Sequence, residues 1–378
     1  MALPKVIYTA ATPDCLNNFR RNIMKKLSGE YEVIALSSSG PELQEIEERE
    51  GVRTIELEIM RRFSPWKDIR SLWKLYRLFK RERPFIVHSM SAKAGLLSMM
   101  AAKMAGVPHR VHSFSGLAFP TATGFSRKVL VTTEKITCAC SNHLLPEGKG
   151  VMSALKEHIT DKQMTVLGYG NIRGIDLNRY DRTEEVISKA LTIKEPGTFA
   201  FIFVGRIVHD KGIDELISAF VRVYQSVPHV RLYLVGGYDS GIDPIKEESL
   251  KAINTHPGIK SFGKQSDVIP FYAAADCLAF PSYREGFPNV VIEAGALGLP
   301  SIVTDIYGSN EIIEDGVNGV IIPSKDEDAL YSAMIEMVNN VEKRESMASN
   351  ARKIISERYE ESFVQGCLID YYHQMMKQ

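Results

Sequence analysis

The chain has 378 residues, with 46 basic and 46 acidic side chains and a formal net charge of zero. This length predicts two domains, and the lack of any apolar run of eighteen residues argues against a membrane-spanning helix. Five scattered cysteines, an odd number, argue against a disulfide-bonded secreted protein and are typical of a reducing compartment. The first residues also lack the design of a secretion signal, so we expect a cytoplasmic protein.

The zero net charge conceals an uneven distribution. Residues 1–180 carry 27 lysines and arginines against 17 acidic side chains, whereas the remainder carries 19 against 29. A basic half joined to an acidic half predicts that the first half contacts something anionic. We expect a membrane surface or an anionic substrate in that role, and no nucleic acid.

Short apolar runs alternate with amphipathic helical patterns along residues 1–180. Helical patterns cover 17–28, 66–82 and 93–105. This alternation predicts a parallel sheet with helices on both faces. The predicted strands are KVIYTAA, YEVIALSS, VRTIELEI, PFIVHSM, HRVHSFS, KITCACS and MTVLGYG.

A second strand–helix alternation begins after a polar stretch, so the predicted fold class is α/β with two Rossmann-like doubly wound domains. We assign the first domain to residues 1–180, a linker to 181–198 and the second domain to 199–360. Residues 361–378 are predicted to form a C-terminal helix that crosses back and packs toward the first domain. In such sheets, ligands bind at the carboxyl ends of the strands.

The stretch REGFPNVVIEAGALGLP places two carboxylates, Glu285 and Glu293, around the start of an apolar helix. Pro288 suits the first helical turn, where its missing N–H costs nothing. Glu293 then lies about 7.5 Å further along the helix, on a buried element where a carboxylate needs a partner. Two interpretations stay open: a structural cap or salt bridge, or a ligand hydroxyl at Glu293 with an anion at the helix N-terminus.

The segment FVGRIVHDKG follows a predicted strand and opens a predicted helix. Arg206 comes just after the strand and Lys211 just before the helix. A planar guanidinium and a mobile ammonium at such a turn suit a diphosphate, while a solvated loop with ordinary surface charges is the alternative. The glycine spacing is not that of a Walker loop.

Candidates in the first domain are less distinctive. Asn18 and Arg20 follow the first strand and can present donors to an anion, or can be solvated residues at a helix start. His88 and His112 end two predicted strands. This is the right place for a site residue, although a lone histidine at such a position is more often structural. No cluster with metal-ligand spacing occurs, so we expect no metal.

Residues 61–84 carry nine basic and two acidic side chains. Ile69, Leu72, Trp73, Tyr76 and Phe79 recur at helical spacing within this segment. The pattern predicts either a basic amphipathic helix on an anionic membrane or a crossover helix that buries this apolar stripe and exposes its charges.

Taken together, these motifs resemble the retaining glycosyltransferases of family four, which have the GT-B fold of two facing Rossmann-like domains. The likeness rests on GR…KG (Gly205 to Gly212), on the Glu-x7-Glu spacing and on IVTDIYGSNEIIEDGVNG. The first domain most resembles the enzymes that elongate polyprenyl-diphosphate-linked sugars for capsule, O-antigen and glycoprotein glycans. Ser115 stands where many relatives have a histidine, and the first loop lacks the paired glycines that many relatives have.

The resemblance implies a role for each matching residue. Arg206 and Lys211 would hold the diphosphate of a nucleotide-sugar, Glu293 would bind ribose hydroxyls and Glu285 would lie by the transferred sugar. We expect Arg206, Lys211 and Glu285 to be catalytic, and the acceptor-side candidates to be Asn18, Arg20, His88, His112 and Ser115. The remaining donor-binding positions are Gly205, Gly263, Lys264, Gly286, Phe287, Pro288, Asn289 and Val290.

The sequence therefore predicts a metal-independent, retaining hexosyltransferase that needs no cofactor. Its expected partners are a nucleotide-sugar, UDP-linked by preference, a lipid-linked saccharide acceptor of bacterial surface polysaccharide synthesis and the anionic inner leaflet. We expect cytoplasmic localisation with peripheral attachment to the inner face of the membrane. A nucleotide-sugar epimerase on the same scaffold and a non-catalytic nucleotide-sugar-binding protein are the alternatives.

Overall fold

The computed structural model of the chain describes residues 3–60, 64–238, 241 and 243–377. It divides into two compact units: residues 1–174 with 362–378, and residues 175–361. The first boundary lies before position 180, and much of the predicted linker is a helix of the second unit, with Ala190 in that unit's core.

The first unit is a six-stranded sheet flanked by helices. Its strand order is β3-β2-β1-β4-β5-β6, and every pairing among these strands is parallel. Its elements are β1 (Lys5–Thr9), α1 (Pro13–Phe19), α2 (Ile23–Leu27), β2 (Glu32–Ser37), α3 (Pro41–Glu50), β3 (Arg53–Glu56), α4 (Pro65–Glu82), β4 (Ile86–Met90), α5 (Ala92–Ala105), β5 (His109–Phe114), α6 (Gly124–Cys140), β6 (His143–Pro146) and α7 (Lys149–His158).

The second unit repeats this design, with strand order β12-β11-β10-β7-β8-β9 and parallel pairing between the strands. Its elements are α8 (Glu184–Ile193), β7 (Phe199–Val204), α9 (Ile213–Ser226), β8 (Val230–Val235), α10 (Glu247–Thr255), β9 (Ile259–Ser261), α11 (Ile269–Ala273), β10 (Cys277–Phe280), α12 (Asn289–Ala296), β11 (Ser301–Thr304), α13 (Ser309–Ile312), β12 (Gly319–Ile322), α14 (Glu327–Asn339) and α15 (Val341–Tyr359).

The last helix, α16 (Glu361–Met376), belongs almost entirely to the first unit. Leu368, Tyr372 and Met375 are buried in the same core cluster as β1 and β2. The C-terminal segment thus completes the apolar core on one face of the first sheet.

Two predicted strands are wrong. KITCACS forms the end of α6, where the hydroxyls of Thr133 and Thr137 donate to carbonyls of the preceding turn. Side-chain bonds of this kind let threonine continue a helix that its β-propensity disfavours. The strand lies one segment later, at β6, and MTVLGYG forms no strand.

The basic helix α4 agrees only in part with the crossover interpretation. Phe79 is buried, together with Ser71, Leu75 and Leu78, but Ile69 and Trp73 from the predicted stripe are exposed. The basic segment's residues 61–63 lie outside the described residues. Among the described residues, no helix is both long enough and apolar enough to cross a membrane.

Candidate active site

The strand order of the second unit places two loops side by side. β7 and β10 are neighbours although β8 and β9 come between them in sequence, so the connections leave their carboxyl ends in opposite directions. Ligands of doubly wound sheets bind outside this switch point. The loop after β7 carries Arg206 and Lys211, and the loop after β10 carries Glu285 and the start of α12.

Gly212 allows the β7 loop to approach the β10 loop closely. Its φ is +69°, and a Cβ atom there would lie 2.1 Å from the carbonyl oxygen of Pro281. Both the left-handed conformation and the lack of space restrict the position to glycine. The glycine of the KG pair therefore sets the distance between the two loops.

Asp210 links the loop after β7 to the loop after β10 by two hydrogen bonds. Its carbonyl oxygen accepts the backbone N–H of Tyr283 at 2.9 Å, and its Oδ2 accepts Nη2 of Arg284 at 2.8 Å. The hydroxyl of Tyr283 donates to Oε2 of Glu215 at 2.6 Å. Burial and this hydrogen bond raise the pKa of Tyr283, so the hydroxyl keeps its proton.

Lys211 and Glu285 form an ion pair across the two loops. Each side chain is only 15% exposed, and Nζ of Lys211 lies 5.8 Å from the centre of the Phe280 ring. Partial burial strengthens the attraction relative to a surface pair. Arg206, at the end of β7, is exposed to solvent.

The helix α12 begins one residue later than predicted, with Pro288 at the N-cap position. A Cβ atom on Gly308, whose φ is +76°, would lie 2.4 Å from the carbonyl oxygen of Gly286. The loop after β11 thus packs closely against the segment that leads into α12. The first turn begins with Asn289 and Val290, both half-buried, while Phe287 is buried against Tyr359.

Two arginines bind the carbonyl groups at the C-terminal end of α12. Arg182 donates to the carbonyl of Leu297 at 3.0 Å, and Arg352 donates to that of Ala296. Cations at a helix C-terminus satisfy its last carbonyls and stabilise the dipole. The opposite end follows the loop of Glu285, the residue that pairs with Lys211.

Glu293 is 8% exposed on the second turn of α12. The hydroxyl of Tyr272 donates to its Oε2 at 3.2 Å. The carboxylate therefore has the partner that its burial demands.

Gly263 and Lys264 form the turn after β9. Since β8 lies between β9 and β7, this turn is about 10 Å along the sheet edge from the end of β7. Gly263 has a φ of +66°, and its carbonyl accepts the N–H of Gly236 at 2.9 Å. Lys264 is exposed.

In the first unit, Arg20 and His88 are buried together. The Nη2 group of Arg20 lies 3.1 Å from Nε2 of His88, and Nδ1 of His88 lies 2.6 Å from the hydroxyl of Tyr372. Because arginine only donates, Nε2 accepts and Nδ1 carries the proton that it gives to Tyr372. Tyr372 donates onward to Tyr8 at 3.0 Å. Burial, and to a smaller extent the positive charge of Arg20, hold the pKa of His88 well below its ordinary value.

His112 belongs to a separate contact. Its Nδ1 lies 2.7 Å from Oγ of Ser89, and its ring fills the space against Gly95 of α5, where a Cβ would come within 2.3 Å. Burial lowers its pKa to about 3, so the ring is neutral. Asn18 is exposed and donates to Asp14, and Ser115 is half-buried.

Replacing Tyr372 with phenylalanine is expected to lower the free energy of unfolding of the first unit by about 1–3 kcal/mol, because Nδ1–H of His88 loses its buried acceptor. Urea denaturation measures this. The matched control is Tyr371→Phe on the same helix, whose hydroxyl lies 3.1 Å from Nδ1 of His143 at a half-buried position. Equal losses in the two variants would contradict the buried chain of hydrogen bonds.

Two family models match the chain, one in each half. Residues 18–170 match the glycosyl transferase 4-like domain, and residues 184–354 match the glycosyl transferases group 1. The capsular polysaccharide biosynthesis glycosyltransferase CapM of Staphylococcus aureus is 31% identical over 357 residues, which cover 92% of this chain and 91% of CapM. The chain belongs to the group 1 glycosyltransferases.

One further relative and one solved structure are also similar to this group 1 glycosyltransferase. The UDP-Gal:alpha-D-GlcNAc-diphosphoundecaprenol alpha-1,3-galactosyltransferase of Escherichia coli is 28% identical over 292 residues, covering 75% of this chain and 73% of that enzyme. The crystal structure of Anabaena HepE in complex with UDP superimposes with a TM-score of 0.81 at 18% identity, covering 98% and 100% of the two chains. The predicted GT-B fold and the predicted enzyme class are confirmed.

Sequence reasoning missed three residues that shape this glycosyltransferase's second unit: Asp210, Tyr272 and Gly308. Asp210 sits inside the GR…KG segment, but nothing in its spacing indicates that it joins two loops. Tyr272 lies 21 positions before the carboxylate that it contacts. Among the described residues, no group of three or more His, Cys, Asp or Glu side chains is arranged to hold a metal ion.

Proposed function

We propose that this glycosyltransferase moves a hexose or N-acetylhexosamine from a UDP-sugar to a sugar hydroxyl of a lipid-linked glycan, with retention of the anomeric configuration. The donor half rests on one observation: the ion pair between Lys211 and Glu285 joins the loop after β7, which also carries Arg206, to the loop that leads into α12. Backbone N–H groups at a helix N-terminus, an ammonium and a guanidinium form the environment that a diphosphate requires.

The names of the relatives support both substrates. The Escherichia coli relative takes its sugar from UDP-Gal and its acceptor is linked to diphosphoundecaprenol. The Staphylococcus aureus relative acts in capsular polysaccharide biosynthesis, and the Anabaena structure contains UDP. A UDP-sugar and a polyprenyl-diphosphate-linked saccharide are therefore the substrate classes to test first.

In the proposed reaction, the bond between the anomeric carbon and the diphosphate oxygen breaks. The acceptor oxygen forms its bond to that carbon on the same face, and the acceptor proton passes to the departing diphosphate. Arg206, Lys211 and the first N–H groups of α12 stabilise the negative charge that develops on the diphosphate. Preorganised donors of this kind are the largest single contribution in many enzymes.

We place the ribose and the base of the donor along the carboxyl edge of the second sheet. Glu293 accepts the ribose hydroxyls, and the turn at Gly263 and Lys264 borders the base. The separation of about 10 Å along the strand ends suits the length of a nucleoside. Glu285 lies by the transferred sugar, and its pairing with Lys211 keeps both charges in position.

We place acceptor binding in the first unit. Asn18 and Ser115 remain the candidates that solvent reaches there. Arg20, His88 and His112 are buried and hydrogen-bonded, which supports a structural role for these three side chains. A loss of folding stability rather than of acceptor affinity is thus the expected result of replacing either histidine.

Incubation with radiolabelled UDP-sugars, with and without a polyprenyl-diphosphate-sugar, tests the proposed function. Transfer predicts UDP release that depends on the acceptor, and NMR of the product should show the α-anomer of an α-linked donor. A changed sugar without any acceptor would identify an epimerase instead. Binding without either product would identify a nucleotide-sugar-binding protein and refute the proposal.

We also propose that the enzyme attaches to an anionic membrane surface through α4. Trp66, Ile69 and Trp73 are 86%, 60% and 53% exposed, and their spacing places them on one face of the helix. Exposed cations flank this face: Lys67, Arg70, Lys74, Arg77, Lys80 and Arg81. Aromatic side chains beside lysine and arginine favour the interface of a bilayer that contains anionic lipid.

Replacing Trp66 and Ile69 with serine together is expected to weaken retention on vesicles rich in phosphatidylglycerol by about tenfold or more, because the apolar area that enters the interface is lost. Co-sedimentation at low salt measures this. The control is Leu191→Ser, which removes an apolar side chain of similar exposure from α8 in the acidic second unit. Unchanged retention of the double variant would exclude α4 as the attachment surface.

A further inference from the structure

Tyr272 links two elements around the proposed ribose site. It lies on α11, its side chain is fully buried, and its hydroxyl is 3.2 Å from Oε2 of Glu293. The same hydroxyl is 3.4 Å from the carbonyl oxygen of Val290. Val290 and Glu293 are three positions apart on α12, so one hydroxyl reaches two successive turns of that helix.

The ring of Tyr272 is held by its surroundings. Its backbone N–H donates to the carbonyl of Val268 at 3.1 Å, and α11 is packed against α8. A tyrosine in the core has few alternative rotamers, because close packing excludes them. The hydroxyl oxygen is therefore held in one place, from which its proton can be donated to Oε2 of Glu293 at 3.2 Å or to the carbonyl oxygen of Val290 at 3.4 Å.

A carboxylate has about four acceptor positions, two on each oxygen. The bond from Tyr272 uses one of them on Oε2. Two adjacent ribose hydroxyls, which each donate one hydrogen bond, are donors from which a carboxylate in this orientation can accept. Without the tyrosine hydroxyl, the Glu293 side chain would lose a contact that selects its rotamer.

We propose that Tyr272 is a positioning residue for nucleotide binding, which orients the carboxylate of Glu293 toward the ribose hydroxyls. This inference rests on the proposed role of Glu293 as the ribose ligand. It adds that affinity for a ribonucleotide over a deoxyribonucleotide depends on a side chain that does not contact the nucleotide.

Calorimetric titration of Tyr272→Phe with UDP and with 2′-deoxy-UDP tests the inference. The variant keeps the ring and loses only the hydroxyl. We expect its Kd for UDP to rise about tenfold, since a hydrogen bond to a charged group contributes at this level. Its Kd for 2′-deoxy-UDP, which keeps only the 3′-hydroxyl, should rise by a smaller factor of about threefold. With a saturating donor, kcat should stay within about twofold of the parent enzyme.

The matched control is Tyr233→Phe. Tyr233 is another fully buried tyrosine of the second unit, with its hydroxyl 3.4 Å from the N–H of Glu195, away from α12. We expect this variant to bind both nucleotides as the parent does. A Tyr272→Phe variant that melts earlier but keeps the parent's affinity for UDP would show a purely structural role and overturn the inference.

A further variant covers the case in which Tyr272→Phe does not fold. Glu293→Asp draws the carboxylate back from Tyr272 by one methylene and leaves the aromatic core intact. It should show the same loss of preference for UDP over 2′-deoxy-UDP, and full retention of that preference would contradict the inference. If the parent enzyme itself does not distinguish the two nucleotides, the proposed role of Glu293 fails, which is a separate outcome.

Discussion

Arg206→Ala is expected to lower turnover by about a hundred- to a thousand-fold while the protein stays folded. The side chain is exposed at the carboxyl end of β7, so its removal opens no cavity. In the proposed site the guanidinium stabilises charge that is greater in the transition state than in the bound donor, and therefore kcat should fall more than KM rises.

The control for Arg206→Ala is Arg222→Ala, near the other end of α9. Arg222 forms ion pairs with Glu327 and Asp328 and lies far along the helix from the switch point. Steady-state assays with a fixed acceptor should show near-parental turnover for this variant. Near-parental turnover in Arg206→Ala itself would remove Arg206 from the proposed diphosphate site.

Lys211→Ala is expected to affect both turnover and stability. Turnover should fall by about a hundred-fold or more, because a cation beside the leaving diphosphate is lost. The free energy of unfolding should fall by about 1–3 kcal/mol, because the half-buried carboxylate of Glu285 loses its partner. Denaturation and steady-state kinetics on the same preparation measure the two effects.

The double variant Lys211→Ala/Glu285→Gln separates the two roles of Lys211. Removing the charge of Glu285 should restore most of the lost stability, since no unpaired carboxylate remains. Turnover should stay low, because the amide does not replace the missing ammonium. If the double variant regained parental turnover, Lys211 would serve only to neutralise Glu285. Lys251→Ala, at an exposed position on α10, is the control.

Much of the second unit follows from local patterns in the sequence. β7 ends just before Arg206, α9 begins just after Lys211 and α12 begins next to Pro288, as predicted, because apolar periodicity and the glycine and proline positions agree there. Long, consistent patterns leave few alternative structures. The error at KITCACS arose where β-branched and small residues suit a strand locally and a helix in the folded unit.

The candidate site residues also fall into two groups, according to whether the sequence pattern alone distinguishes them from structural residues. Arg206 and Lys211 are candidates because two cations share one strand–helix turn. Glu293 is a candidate because a carboxylate on an apolar helix is costly unless it has a partner. Arg20, His88 and His112 satisfied the same criterion, yet the structure surrounds them with hydrogen-bond partners from distant segments. Position at a strand end does not reveal whether a side chain points into the core.

The sequence by itself determined the class of this protein: two α/β units, basic and acidic halves, and the two loops that carry Arg206, Lys211 and Glu285. These properties depend on residue types and on spacings within a few turns of chain. The tertiary structure alone decided which side chains meet, such as Tyr272 with Glu293, Asp210 with Arg284 and His88 with Tyr372. Such contacts join segments that are 21 to 284 positions apart, and their geometry depends on how sheets and helices pack rather than on local sequence.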